Sequence, residues 1–181
     1  MSTQPGSAYS IQQSDDRLET HTMSVLVDNE PGVLARVIGL FAGRGYNIES
    51  LTVSETEHEA HLSRITIVTT GTPMVIEQIK NQLDRLVPIH SVTDLTVLGN
   101  PIERELAMVK VAGLGEKRLE AMRLAETFGA EIIDTSTGHF VFEITGKQSR
   151  IEEFIALMQP LGLVEVSRTG LAAISPGPER M

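Results

Sequence analysis

Met23-Ser24-Val25-Leu26-Val27-Asp28-Asn29-Glu30-Pro31-Gly32-Val33-Leu34 changes periodicity part-way along. Met23 to Val27 is apolar and rich in β-branched residues, which predicts a strand. Asp28-Asn29-Glu30-Pro31-Gly32 is a turn by composition. Leu34, Val37, Ile38 and Phe41 then fall at i, i+3, i+4 and i+7, the apolar stripe of a helix laid on a sheet. Gly43 and Gly45 are stop signals for that helix.

Outward from this stretch, two β-rich runs follow, Tyr46 to Thr56 and Leu62 to Thr70. Glu57-His58-Glu59-Ala60-His61 joins them as a hairpin. Pro73 opens a second helix with the stripe Ile76, Ile79, Leu83 and Leu86. Ile89 to Leu98 closes the half as a strand, with Leu95 and Val97 on one face. The order is βαββαβ. Asn100-Pro101 marks a boundary, and the order recurs. Leu106 to Val111 is a strand; Ala121, Met122, Ala125 and Phe128 stripe a helix. Ile132-Ile133 and Phe140/Phe142/Ile144 are strands divided by a turn at Ser136-Thr137-Gly138. Ile151, Phe154, Ile155 and Met158 stripe a further helix, and Val164 to Ile174 is the last strand.

Two such units make an α+β protein of two ferredoxin-like domains. The expected division is an arm at 1–20, domains at 21–99 and 104–175, and a tail at 176–181. The arm, rich in Ser, Thr, Gln and Asp, reads as disordered. In each unit both helices cover one sheet face, and a unit this small buries only about 60% of its unfolded surface. The other face and the edge strands therefore call for side-by-side pairing or a partner protein.

Composition narrows the function. The chain of 181 residues carries a net charge of −9 with no Trp, a poor electrostatic match for nucleic acid or an anionic membrane. No uncharged apolar run is long enough to span a bilayer. The first 21 residues contain one Arg, no Lys and no apolar stretch, unlike a secretory signal. The absence of Cys removes disulfides and thiolate chemistry and fits a reducing, cytoplasmic setting.

Catalytic signatures are not found. Gly146-Lys147-Gln148-Ser149 lacks the upstream Gly and the correct last residue of a P-loop. Gly113-Leu114-Gly115 reads as a tight strand-to-helix turn. His58-Glu59-Ala60-His61 places its histidines at i and i+3 instead of the i and i+4 of zinc proteases. His21, His90 and His139 have no obvious acidic or hydroxyl partner in sequence. Glu152-Glu153 reads as the solvated face of a helix. Neither a catalytic residue nor a metal site is expected.

Asp28 to Leu34 carries the chemical signal. Gly32 permits close backbone approach and an unusual φ, and Pro31 fixes the chain without needing an N–H. The free N–H groups of the helix start suit a carboxylate. Asn29 adds a donor and an acceptor, while Val33 and Leu34 supply an apolar wall. The same residues also read as a plain helix start capped by Asp or Asn.

Asp28-Asn29-Glu30-Pro31-Gly32-Val33-Leu34, after a strand in a βαββαβ unit, resembles the ACT domain of amino-acid-responsive regulators. Three further runs sharpen the likeness: Arg36-Val37-Ile38-Gly39-Leu40-Phe41, Arg44 to Val53, and Ser63-Arg64-Ile65-Thr66-Ile67. With these the chain resembles the small, regulatory subunit family of acetolactate (acetohydroxyacid) synthase from Thr22 to Ser175. In the second half the likeness rests on Arg104-Glu105-Leu106, Ile132-Ile133-Asp134 and Glu165 to Gly170.

The resemblance implies a non-catalytic homodimer joined through its ACT domains into a continuous sheet. It implies feedback by a branched-chain amino acid, commonly valine, with leucine or isoleucine as alternatives, bound at the dimer interface. The partner is a catalytic large subunit that carries thiamine diphosphate, Mg²⁺ and usually FAD; no cofactor is expected in this chain. The family's effector loop falls on Asn29, Pro31, Gly32, Val33 and Leu34, and its facing wall, from the other protomer, on Asn47 and Ile48. The turn of the second half, Val111-Ala112-Gly113-Leu114-Gly115, departs from that pattern, so no second effector site is expected and docking to the catalytic subunit is its expected task. Ala35, Gly39 and Ala42 on the first helix suit either dimer packing or packing on the chain's own sheet. A free-standing ACT sensor with a different partner is the competing reading.

Overall fold

A computed structural model describes residues 17–57 and 61–178. The chain runs β1 (Glu19–Asp28), α1 (Val33–Arg44), β2 (Ser50–Glu57), β3 (Leu62–Gly71), α2 (Pro73–Leu83) and β4 (Ile89–Asp94). It continues β5 (Ile102–Val111), α3 (Glu116–Thr127), β6 (Glu131–Thr135), β7 (Phe140–Gly146), α4 (Gln148–Met158), β8 (Leu163–Arg168) and β9 (Ala172–Ile174). The strands order as β2-β3-β1-β4 and β6-β7-β5-β8, all antiparallel neighbours, with β9 on β5. This is the βαββαβ unit twice over.

Each half has its own core. In the first, Met23, Val25 and Val27 of β1 and Ile65 and Ile67 of β3 meet Val37, Phe41, Ile76 and Ile79 of the helices. In the second, Val109, Phe142 and Ile144 meet Ala121, Ala125, Ile151 and Phe154. Thr72 caps α2, its hydroxyl accepting the Val75 N–H at 3.4 Å with Pro73 in the first turn, so the sequence start signal is used as read. Gly45 ends α1 in the left-handed region at φ 69°, returning its N–H to Ala42 while Tyr46 N–H reaches Phe41. A glycine is needed there for that φ.

Several boundaries differ from expectation. β1 begins at Glu19, inside the segment read as an arm, because its polar start pairs with Thr70 and Gly71. α1 is rotated: Val33, Val37 and Phe41 are buried, whereas Leu34 and Ile38 are 38% and 39% exposed. β2 begins at Ser50, not Tyr46. β4 stops at Asp94, where the carboxylate accepts the Thr96 N–H at 3.0 Å and turns the chain. Leu95 is buried but Val97 is exposed. β5 starts at Ile102 because β9 pairs with it there. The last strand is two, parted at Thr169–Leu171, where Gly170 takes φ 83°. Ile132, Ile133 and Met122 are exposed, not core.

The halves agree in finer detail. Asp94 opposes Met23 across β4 and β1, and Arg168 opposes Ala107 across β8 and β5. Both ladders slip register just after the third residue beyond, at Leu26/Val27 and at Lys110/Val111. By this alignment His21 and Asp94 occupy the places of Glu105 and Arg168. Each pair is joined: His21 Nδ1 lies 2.7 Å from Asp94 Oδ2, and Arg168 gives Nε and Nη2 to the two Glu105 oxygens at 2.8 and 2.7 Å. One interior pair position thus recurs, with the acid on the outer strand β4 in the first half and on the central strand β5 in the second.

The second half also meets the sheet face of the first that lacks helices. Thr22 Oγ1 donates to Glu103 at 3.0 Å. Thr52 Oγ1 donates to the Leu171 carbonyl at 2.8 Å, and the Leu171 N–H donates to Ser50 Oγ at 3.0 Å. Leu171 is buried at this seam.

Candidate functional site

At the end of β1 the backbone is fixed from two directions. Asp28 N–H donates to Pro88 O at 3.2 Å, and Asn29 N–H to His61 O at 2.7 Å. The Asp28 carboxylate is taken by His90 Nε2 at 2.6 Å. It is therefore not spent on α1. The residue before α1 is Gly32, left-handed at φ 91°, with no side-chain cap and no acid in the first turn. The plain capped start is thus not what forms. Val33 N–H donates to Glu30 O at 3.4 Å and Arg36 N–H to Gly32 O at 3.1 Å, which leaves the amides of Leu34 and Ala35 at the positive end of the helix dipole.

Around this start Asn29, Pro31, Gly32 and Leu34 are exposed. Val33 is not: its side chain is 4% exposed and belongs to the core. Its N–H is also spent, donating to Glu30 O at 3.4 Å, and Leu34 is the exposed apolar side chain. Arg36 braces the helix side by donating Nη1 to Val87 O at 2.9 Å.

Asn47 and Ile48 lie elsewhere. Asn47 is exposed, and its carbonyl accepts the Thr69 hydroxyl at 2.6 Å. Ile48 is half-buried against the core, and Glu49 N–H donates to Val68 O at 2.8 Å. Thr69 pairs with His21, whereas the Asn29–Gly32 turn leaves the sheet where Asp28 pairs with Leu62. These rows are seven residues apart on β1, about 23 Å at ~3.3 Å per residue. The two groups of candidate residues therefore stand at opposite ends of one sheet. A single chain does not bring them together.

Between them runs β2, an edge strand with Val53 47% exposed. α1, the crossover into β2, exposes Ala35, Ile38, Gly39 and Ala42, and a Cβ on Gly39 would meet nothing within 4 Å. These small residues are not packed on the chain's own sheet.

The histidines that lacked partners in sequence have them in space. His21 and His90 pair with Asp94 and Asp28. His139 bridges Ser136 Oγ and Asp134 Oδ2, each at 2.8 Å. Ser, His and Asp in a row suggest acyl transfer, but the geometry is that of a turn lock. Ser136 Oγ accepts the Gly138 N–H at 3.1 Å, and Asp134 is 64% exposed, whereas a working triad buries the acid that orients its imidazole. The hydrogen bond from His139 holds the Asp134 carboxyl below its ordinary range. His58 to Ala60 lie outside the described residues. Among those described, no group of three or more His, Asp or Glu could hold a metal, and no helix is long and apolar enough to cross a membrane.

Sequence reasoning missed His90, Arg36 and the seam residues Ser50 and Thr52. Each acts on a group distant in the chain, so no local spacing announces it. The one trace is the run Ser50, Thr52, Ser54 at alternate positions of β2, hydroxyls on a strand face that is not wholly solvent.

Comparison with known proteins bears on both halves. The family described as the small subunit of acetolactate synthase matches residues 104–177, and the small-subunit-like ACT domain of acetohydroxyacid synthase matches 23–91. The chain is 46% identical over 157 residues to a probable acetolactate synthase small subunit of Archaeoglobus fulgidus, covering 87% of this chain and 97% of that one. It is 42% identical over 160 residues to the isozyme 3 small subunit of Escherichia coli, with 88% and 97% covered. The crystal structure of the small subunit from Thermotoga maritima superposes with a TM-score of 0.79 at 41% identity, covering 89% of this chain and 99% of that one.

Proposed function

Because this chain belongs to the acetolactate synthase small-subunit family, we propose that it is the non-catalytic regulatory subunit of that enzyme, activating the catalytic subunit and conferring feedback inhibition by a branched-chain amino acid, valine foremost. The thiamine diphosphate, Mg²⁺ and FAD of the reaction belong to the catalytic partner. The observation that carries the reading is the uncapped start of α1 at one end of the sheet with Asn47 at the other. A twofold axis through the β2 edge, perpendicular to the sheet, sets the start of one protomer's α1 against Asn47 and Ile48 of its partner and closes the site.

In this site the Leu34 and Ala35 amides and the Asn29 side chain hold the effector carboxylate, with Pro31, Gly32 and Val33 shaping the loop. The Asn47 side chain and the Ile48 backbone meet its ammonium from across the interface. Leu34 takes the apolar side chain, whose burial contributes about 1.5–3 kcal/mol. Ala35, Gly39 and Ala42 let the two α1 helices approach closely. Inhibition requires only that the effector-bound pair engage the catalytic subunit differently; tenfold regulation corresponds to about 1.4 kcal/mol.

The test is calorimetry with valine on the isolated chain, followed by pyruvate turnover of the reconstituted complex. Gly32→Asp places a carboxylate where the effector's belongs, and is expected to abolish feedback while activation remains. Asn47→Ala is expected to weaken valine binding without unfolding. Feedback intact in Gly32→Asp, or unaltered affinity in Asn47→Ala, rejects the placement.

A further inference from the structure

The seam between the halves lies three residues from the half-site at Asn47, and both backbone groups of one residue are held there. Ser50 Oγ accepts the Leu171 N–H and Thr52 Oγ1 donates to the Leu171 carbonyl. Gly170 makes this approach possible: a Cβ there would lie 2.8 Å from Thr52 Cγ2 and 3.0 Å from Ser50 Oγ, and φ is 83°. A carbonyl and an N–H that are buried need partners, and here β2 of the other half supplies them.

The seam is tied at both sides. Toward the first half, Asn47-Ile48-Glu49 runs directly into Ser50. The Asn47 carbonyl and the Glu49 amide are pinned to Thr69 and Val68 of β3. Toward the second half, Thr169 N–H bonds the Leu106 carbonyl and Arg168 grips Glu105, which is 5% exposed. A shift of the Asn47–Glu49 segment therefore displaces Ser50 and carries Leu171, with β5 and β8 behind it.

We infer that Ser50 and Thr52 are positioning residues that transmit effector occupancy at Asn47 and Ile48 to the second half, setting its orientation relative to the first. The inference rests on the effector site proposed above and adds to it the route by which binding becomes response. Allosteric coupling needs two sites and an element whose arrangement both bias, and the Leu171 joint is that element.

The experiment separates binding from response in the full-length chain reconstituted with the catalytic subunit. The double variant Ser50→Ala, Thr52→Val removes both hydroxyls and keeps a β-branched residue on β2. Its affinity for valine, by calorimetry, is expected to stay near that of the parent, while maximal inhibition of the complex weakens about tenfold. Thr52→Ser retains the hydroxyl and is expected to keep full inhibition, a rescue that a mere packing role would not give. Full inhibition in a double variant of parental affinity overturns the inference. Loss of valine binding together with inhibition also overturns it, since the hydroxyls would then build the site itself. If the double variant fails to fold, Thr52→Val alone decides: partial loss of inhibition at parental affinity supports the joint, and unaltered inhibition rejects it. A parent chain that binds no valine fails the site reading instead, and is distinguished by calorimetry before any variant is made.

Discussion

The two strand-to-helix turns, β1 to α1 and β5 to α3, start from the same backbone and end as different objects. Asp28 N–H bonds Pro88 O, and Ala112 N–H bonds Gly162 O at the same place in the repeat. The next residue is Asn29 in one half and Gly113 in the other. Gly113 is glycine because the chain is already there: a Cβ would lie 2.7 Å from the Leu161 carbonyl oxygen. α3 also begins with its own acid, Glu116, in the first turn, which satisfies the dipole internally. The first turn has neither a plug nor an acid. Duplication supplied two equivalent places, and side chains left one open and filled the other.

The interior ion pairs offer the hardest test of that contrast. Glu105 and Arg168 share two charge-assisted hydrogen bonds, whereas His21 and Asp94 share one. Glu105 holds the Arg168 guanidinium above its usual pKa. Arg168→Ala leaves Glu105 buried and unpaired. With Arg168 itself a third exposed, the expected loss is at the lower end for such pairs, about 3 kcal/mol. Asp94→Asn keeps a hydrogen-bonding amide beside His21 and removes only the carboxylate's charge, expected to cost about 1 kcal/mol. Urea denaturation of the two variants measures both, and equal losses would erase the distinction.

Glycine replacement gives the next effect. Gly113→Ala pushes on backbone and is expected to destabilise by about 1–3 kcal/mol. Gly32→Ala meets open space, since nothing lies within 4 Å of its added Cβ. It pays only for a left-handed residue, about 1–2 kcal/mol, and its larger consequence is for effector binding. A Gly113→Ala variant as stable as the parent would show that the second turn is not filled.

The smallest effect is acid sensitivity. Lys110 holds the Glu165 carboxyl below its ordinary value as His139 does Asp134. A carboxyl lowered in the folded state stabilises above its unfolded pKa, and that contribution fades as pH falls through the lowered value. Both carboxyls lie in the second half and in solvent, so the change is slight. Amide exchange between pH 5 and 3 is expected to open β6 to β8 modestly before β1 to β3. Lys110→Met should remove the Glu165 share, and an unaltered profile in that variant would deny it.

Much of this was readable before any coordinates. The strand–turn–helix at Met23 to Leu34, the duplicated order, the stop at Gly45 and the start at Pro73 follow from local periodicity and turn chemistry. Burial on α1 differs from the stripe because Leu34 and Ile38 are apolar yet face outward, and a stripe alone does not say which side meets the sheet. β4 is shorter than its apolar run because Asp94 ends it through a side-chain bond that no hydropathy pattern shows. His21, His90 and the Leu171 joint find partners 62 to 121 positions away, beyond the reach of spacing arguments. The Ser136 and Asp134 partners of His139, by contrast, are three and five residues away, and only the tight turn at Gly138 had to be foreseen to join them. Asn29 and Asn47 could be singled out from sequence, but not their separation, which depends on the β1–β3 register.

That separation has a thermodynamic consequence. In the proposed assembly a lone chain owns two incomplete seats and can load neither, while a pair owns two complete ones. Effector and subunit concentration then become linked variables. Dilution should shed the amino acid, and the amino acid should draw dilute chains into pairs, so the cell's stock of this protein would help set the concentration at which the pathway senses its product.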